Sequence, residues 1–126
     1  MRRILVVDDE DGICSFIRDF FVERGFEVEA AYDGQEALEM VDSRKPHIIL
    51  LDIRMPEMDG FEAFKKIRRK DKKVKIIFIT AFTDPDNLKE RLLREGAYAF
   101  LEKPIRSLKE LENLVNKAIS QEELSC

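Results

Sequence analysis

Four apolar runs in this chain each end in residues that carry chemistry, and that repeated placement constrains the fold more than any other feature. Ile4–Val7 runs into Asp8 and Asp9, Ile48–Leu51 into Asp52, Ile76–Ile79 into Thr80, and Phe100–Leu101 into Glu102, Lys103 and Pro104. Helical patterns of roughly ten to fifteen residues separate the runs, the sequence form of repeated βαβ units around a parallel sheet. Right-handed crossovers put every strand's carboxyl end on one edge of such a sheet. Residues far apart in sequence then converge in the crevice where open α/β sheets bind ligands.

The segments between the runs carry helix signals. Ile13, Phe16, Ile17, Phe20 and Phe21 recur at helical spacing, with Gly25 as the expected carboxyl cap. Glu27–Ala30 alternates polar with apolar, as a strand with one exposed face does, and is expected at a sheet edge. Asp33 and Glu36 open a second helix that runs to about Ser43 and is stopped by Lys45 and Pro46; Asp59 and Glu62 open a third. Asp84 and Pro85 are expected to start a fourth, closed by Gly96, and Tyr98–Leu101 forms a short fifth strand. Ser107 and Glu110 make a capping box for a final helix striped by Leu108, Leu111, Leu114, Val115 and Ala118, with a frayed tail from Gln121. Burying the solid runs centrally predicts a flavodoxin-like, doubly wound, five-stranded parallel sheet in the order 2-1-3-4-5 with five helices.

The chain's 126 residues suit one domain, and 38% charged residues with only 5 Gly and 4 Pro describe a well-packed, water-facing chain. No apolar stretch approaches the roughly 18 residues of a membrane helix, and Met1–Arg3 lacks the pattern of a signal peptide. A cytoplasmic protein is expected. Cys14 and Cys126 suggest neither a disulfide framework nor a metal cluster. Eight of the eleven residues from Lys65 to Lys75 are basic, but they cluster at the end of the third helix, where cations complement the dipole. With a net charge of -4, they are read as a solvated face, and direct nucleic-acid binding is not expected.

Asp8, Asp9 and Asp52 would bring three carboxylates to one crevice, where they repel unless a cation neutralises them. Oxygen donors without His or Cys favour a hard cation, and Mg²⁺ typically keeps several waters while taking one or two carboxylates plus a phosphate oxygen. Lys103 offers an ammonium and Thr80 a hydroxyl to an arriving phosphoryl group. Asp52 is the candidate nucleophile, since carboxylates form aspartyl phosphates. Alone, Asp8 or Asp9 reads as a helix cap, Thr80 as a strand residue and Lys103 as a surface charge. Capping needs alone do not explain all of them following predicted strands.

The stretches Ile4–Glu10, Leu50–Gly60, Ile79–Ala81 and Leu101–Pro104 resemble the receiver domains of two-component response regulators, and the likeness spans essentially the whole chain. The resemblance implies a receiver domain over residues 1–120, in which Asp52 takes a phosphoryl group from a phosphohistidine on a sensor kinase or histidine phosphotransferase. It implies that Asp9, Asp52 and the Arg54 backbone carbonyl hold Mg²⁺ directly and Asp8 through water. Lys103, Thr80 and the backbone near Ala81 would contact the phosphoryl oxygens. Thr80 and Phe100 would then act as the switch pair, Phe100 lacking the hydroxyl of the Tyr often found there. The responding surface would be the fourth helix, fifth strand and fifth helix, with Arg91, Tyr98 and Lys109 as exposed contacts for a downstream partner or a second copy. By the same resemblance, Arg54 and Phe82 would occupy positions that tune hydrolysis of the aspartyl phosphate.

A pure interaction domain that never carries phosphate would be favoured by loss of a pocket residue, and none is lost. A phosphatase of the haloacid dehalogenase type needs a second Asp two residues after its nucleophile, where Arg54 stands. A flavin site needs a hydroxyl- and glycine-rich loop after the first strand, where Asp8–Asp11 would repel the phosphate. His47 begins the third strand at the edge opposite the pocket, so the phosphodonor must come from another protein.

Overall fold

The computed structural model describes residues 2–54, 60–81, 88–105 and 107–124. Five strands, β1 (Arg3–Val7), β2 (Glu27–Ala31), β3 (Ile48–Leu51), β4 (Lys75–Thr80) and β5 (Ala99–Glu102), form one parallel sheet in the order β2-β1-β3-β4-β5. Between and after them lie α1 (Asp11–Val22), α2 (Gly34–Arg44), α3 (Gly60–Lys70), α4 (Leu88–Arg94) and α5 (Leu108–Leu124). The expected topology is the observed one. β1 and β3 are almost wholly buried, whereas the edge strands β2 and β5 are mostly half-exposed.

Side-chain alternation along the strands splits the core in two. Leu5, Val7, Ile49, Leu51, Ile76 and Phe78 pack with Ala37, Leu38 and Val41 of α2, Ala63, Phe64 and Ile67 of α3, and Leu92 of α4. Ile4, Val6, Ile48, Leu50, Ile77 and Ile79 point the other way, onto Cys14, Ile17 and Phe21 of α1 and Leu111, Val115, Ala118 and Ile119 of α5. A central strand buried on both faces must therefore be apolar at every position, which is why these runs read as solid rather than alternating.

The caps form much as the residues dictate. Asp33 accepts from the Glu36 N–H at 2.8 Å while the Glu36 carboxylate accepts from the Tyr32 N–H at 3.2 Å, and Ser107 Oγ accepts from the Glu110 N–H at 3.2 Å. Gly25 (φ 87°) and Gly96 (φ 112°) take the left-handed conformation that ends α1 and α4. Some expectations shift. Phe16 is 56% exposed, so the buried stripe of α1 is Cys14, Ile17 and Phe21. β5 starts one residue late, at Ala99, and the bounds of α5 are Leu108–Leu124, in keeping with the helix-forming Gln121–Leu124. The start signals at Asp59, Asp84 and Pro85 lie outside the described residues. No helix among the described residues is long and apolar enough to cross a membrane.

Candidate functional site

The sheet ladder itself delivers the site. The Asp8 N–H donates to the Ala31 carbonyl at 3.1 Å, the Asp52 N–H to Val7 at 3.0 Å, and the Lys103 N–H to Thr80 at 2.8 Å. Each bond carries pairing one residue past a strand end, so these backbones are as fixed as the sheet. Asp8, Asp52 and Thr80 are buried, at 3%, 5% and 0% exposure.

Lys103 joins the acids. Its Nζ donates to Asp8 Oδ2 at 2.6 Å and to Asp52 Oδ2 at 3.1 Å, while Asp52 Oδ1 accepts from the Arg54 N–H at 3.3 Å. Burial pulls the Lys103 ammonium down, but the hydrogen bonds and charges of Asp8 and Asp52 more than offset it, and its pKa is raised. Uncompensated carboxylates this deep would be costly, and the shared ammonium donates to both and balances one of their two charges.

The sequence expectation gave Lys103 to phosphoryl oxygens; in this structure it bridges the two carboxylates. Asp9 lies at the rim, exposed, and with Asp8 and Glu10 presents carboxylate oxygens within 4.8 Å of one another. Asp52 is not one of those three. Glu10 was not singled out in advance, although the acidic run from Asp8 to Asp11 is the signal that marks it. A set made of hard oxygen donors fits Mg²⁺. Ala81 is exposed at the end of β4, and Phe100 is half-buried with its ring 6.4 Å from that of Phe78. Phe82 lies outside the described residues.

Gly60 is a further residue on which the site depends. Its N–H donates to the Ile53 carbonyl at 2.7 Å, and a Cβ there would overlap the backbone carbonyl of Asp52. Only a glycine lets the first turn of α3 pass this close behind Asp52. At the opposite edge of the sheet, His47 is half-buried and its Nδ1 accepts from the Arg3 N–H at 3.0 Å. It is a structural acceptor far from the pocket. The basic run is largely occupied locally: Lys70 pairs with Asp42 at 2.8 Å, Lys66 with Glu62 at 3.9 Å, and Lys65 sits 4.4 Å from the Phe61 ring centre.

The 2-1-3-4-5 sheet, with an acidic cup closed by a lysine at its carboxyl edge, defines a receiver-type fold. The response regulator receiver domain family matches residues 4–116, and the chain belongs to that family. Receiver domains are regulatory, phosphorylation-activated switches of two-component and phosphorelay signalling, and they generally bind Mg²⁺. Chemotaxis protein CheY of Bacillus subtilis is 36% identical over 120 residues, 94% of this chain and 98% of that protein. Regulatory protein AtoC of Escherichia coli is 38% identical over 119 residues, 94% of this chain, which spans 25% of that protein's length. Response regulator TrrA of Thermotoga maritima, solved in complex with Mg²⁺ and BeF, superposes with a TM-score of 0.81 at 35% identity, covering 94% of this chain and 99% of that one.

Proposed function

We propose that this chain is a switch in which Asp52 accepts a phosphoryl group from the phosphohistidine of a sensor kinase or histidine phosphotransferase. One observation carries the reading: the Lys103 ammonium lies 2.6 Å from Asp8 and 3.1 Å from Asp52, joining three strand ends at one buried point. The Arg54 N–H and Lys103 hold the two Asp52 oxygens, so the carboxylate is oriented before a donor arrives. A carboxylate oxygen forms the new O–P bond as the N–P bond breaks, and its electron pair returns to the donor imidazole. Asp9, Asp52 and the Arg54 carbonyl would hold Mg²⁺ directly and Asp8 through water; the bound ion offsets charge on the transferred oxygens.

Lys103 then re-partners with a phosphoryl oxygen, and the Thr80 hydroxyl and the backbone at Ala81 supply further donors. The added charge is about -1.5 to -2. Thr80 and Phe100 respond as a pair and alter the surface of α4, β5 and α5. Arg91 and Lys109 are exposed there and Tyr98 half-exposed, open to a downstream partner or a second copy. The reading assigns the domain protein partners in the cytoplasm and no nucleic acid. Arg54, exposed at the pocket rim, and Phe82 set how readily water reaches the acyl phosphate.

The test is incubation with acetyl phosphate and Mg²⁺ followed by intact mass. One phosphoryl mass is expected on the native chain and none on Asp52→Asn. No gain on the native chain refutes the reading, and a gain retained by the variant refutes Asp52 as acceptor.

A further inference from the structure

The described side chains of helix α4, residues 89–94, seat it lightly on the sheet. Of its residues 89–94 only Leu92 is buried, whereas α3 buries Ala63, Phe64 and Ile67 on the same sheet face. Beyond Leu92, the Arg91 guanidinium rests 4.8 Å from the Phe61 ring centre. The carboxyl end is held far more firmly. The Gly96 N–H donates to the Leu93 carbonyl at 3.2 Å and the Ala97 N–H to Leu92 at 3.0 Å, closing the helix through the positive-φ glycine.

The Gly96 carbonyl in turn accepts from Arg68 Nη2 at 2.7 Å, while Nη1 of the same guanidinium donates to the Val74 carbonyl at 2.6 Å and, at 3.4 Å, to that of Asp71. The Asp71 carboxylate accepts from the Lys73 and Val74 N–H groups at 2.8 and 3.1 Å, so the loop that carries two of these acceptors is itself fixed. A planar fork thus ties the last turn of α3, the entry to β4 and the turn between α4 and β5. Burial draws the Arg68 guanidinium below its ordinary pKa, against the opposing charge of Asp71.

We propose that Arg68 is a positioning residue that makes the α4–β5 turn a fixed pivot, so that phosphorylation swings α4 about Gly96 instead of releasing the whole helix. This rests on the reading of Asp52 as phosphoacceptor and adds to it where the movement stops. A helix anchored at one end and seated, among its residues 89–94, through Leu92 moves most at the other end, and α4 begins at the pocket edge of the sheet. Lysine cannot replace the fork, because a single ammonium lacks the planar geometry that reaches carbonyls on two elements at once.

The experiment uses the full chain as native protein, Arg68→Met and Arg68→Lys. Intact mass after acetyl phosphate treatment first establishes uptake at Asp52. Amide exchange of Ala97 and Tyr98, whose N–H groups bond to Leu92 and Ile76 at 3.0 and 2.8 Å, is then measured with and without beryllofluoride and Mg²⁺. In the native chain the two rates are expected to change less than twofold on adding beryllofluoride. In both variants they are expected to rise at least tenfold, and only with beryllofluoride.

A tenfold rise in the native chain overturns the pivot, as does an equal rise in the variants with and without beryllofluoride, which marks a merely structural arginine. Native behaviour in Arg68→Lys overturns the requirement for a fork. Should Arg68→Met fail to fold, the native chain and Arg68→Lys still decide. Absence of any phosphoryl gain refutes the Asp52 reading and the pivot with it, whereas a gain without the exchange pattern refutes the pivot alone.

Discussion

Lys103 and Arg68 are half-buried cations at opposite edges of one sheet, and they are held by different kinds of acceptor. Lys103 contacts two carboxylates, Asp8 and Asp52, and its pKa is raised; Arg68 contacts the backbone carbonyls of Val74 and Gly96, and its pKa is lowered by burial. A contact between charges changes when either charge changes. A contact between a guanidinium and neutral carbonyls does not depend on the charge at the pocket. On the proposed reading the pocket edge responds and the far edge stays put, within a domain whose helices share two cores.

Removing the responsive charge has the largest expected effect. Asp52→Asn is expected to take phosphoryl uptake below detection by intact mass while leaving the fold intact, since Asn keeps the shape and the contact with the Arg54 N–H. Gly60→Ala comes next. Its Cβ meets the Asp52 backbone, and the resulting strain is expected to cost about 3 kcal/mol in urea unfolding; a loss under half that would show that α3 can retreat from the pocket.

Lys103→Met and Arg68→Met test the comparison itself. Lys103→Met leaves two buried carboxylates without their shared cation, an expected loss of about 3 kcal/mol. Millimolar Mg²⁺ should restore part of that loss, and EDTA should abolish the rescue. The unfolding midpoint of Arg68→Met should move with Mg²⁺ no more than that of the native chain, because its acidic cup is unchanged and no carboxylate is released there; an extra gain as large as that of Lys103→Met would erase the distinction between the two edges.

The smallest expected effect lies beneath the pocket. Cys14 is fully buried, its thiol donates to the Asp8 carbonyl at 3.4 Å, and burial first, then the charges of Asp8 and Asp11, push its pKa from 9.0 up to about 11. A folded-state pKa above the unfolded one favours the folded protein below pH 9.0, and that advantage fades as pH rises toward about 11. Relative to Cys14→Ala, the native chain should thus lose on the order of 1–2 kcal/mol across that window. Parallel pH curves for the two proteins would show the thiol to be irrelevant.

Strand order, two-sided core and caps were legible because they rest on local chemistry and period. Val7, Leu51 and Phe78 read as core since a central parallel strand has no wet face, and Asp33 and Ser107 read as caps since their oxygens meet the N–H groups three residues on. Spacing did not separate Phe16 from Ile13 and Phe20, yet it lies outside the arc that α1 turns to the sheet and is 56% exposed. Arg68 was invisible among its basic neighbours. Its carbonyl partners carry no side-chain signature, and one of them, Gly96, lies 28 residues away.

The residues of the acidic cup could be named from the order of apolar runs alone, because a right-handed parallel sheet has one carboxyl edge and each run ends there. What the order could not state is which charges pair. That Lys103 bridges Asp8 and Asp52, that α3 passes close enough behind Asp52 to demand glycine at position 60, and that a guanidinium ties down the far end of α4 all depend on distances across separate elements. Those distances are set by how helices pack on the sheet, a property of the assembled chain and not of any segment within it.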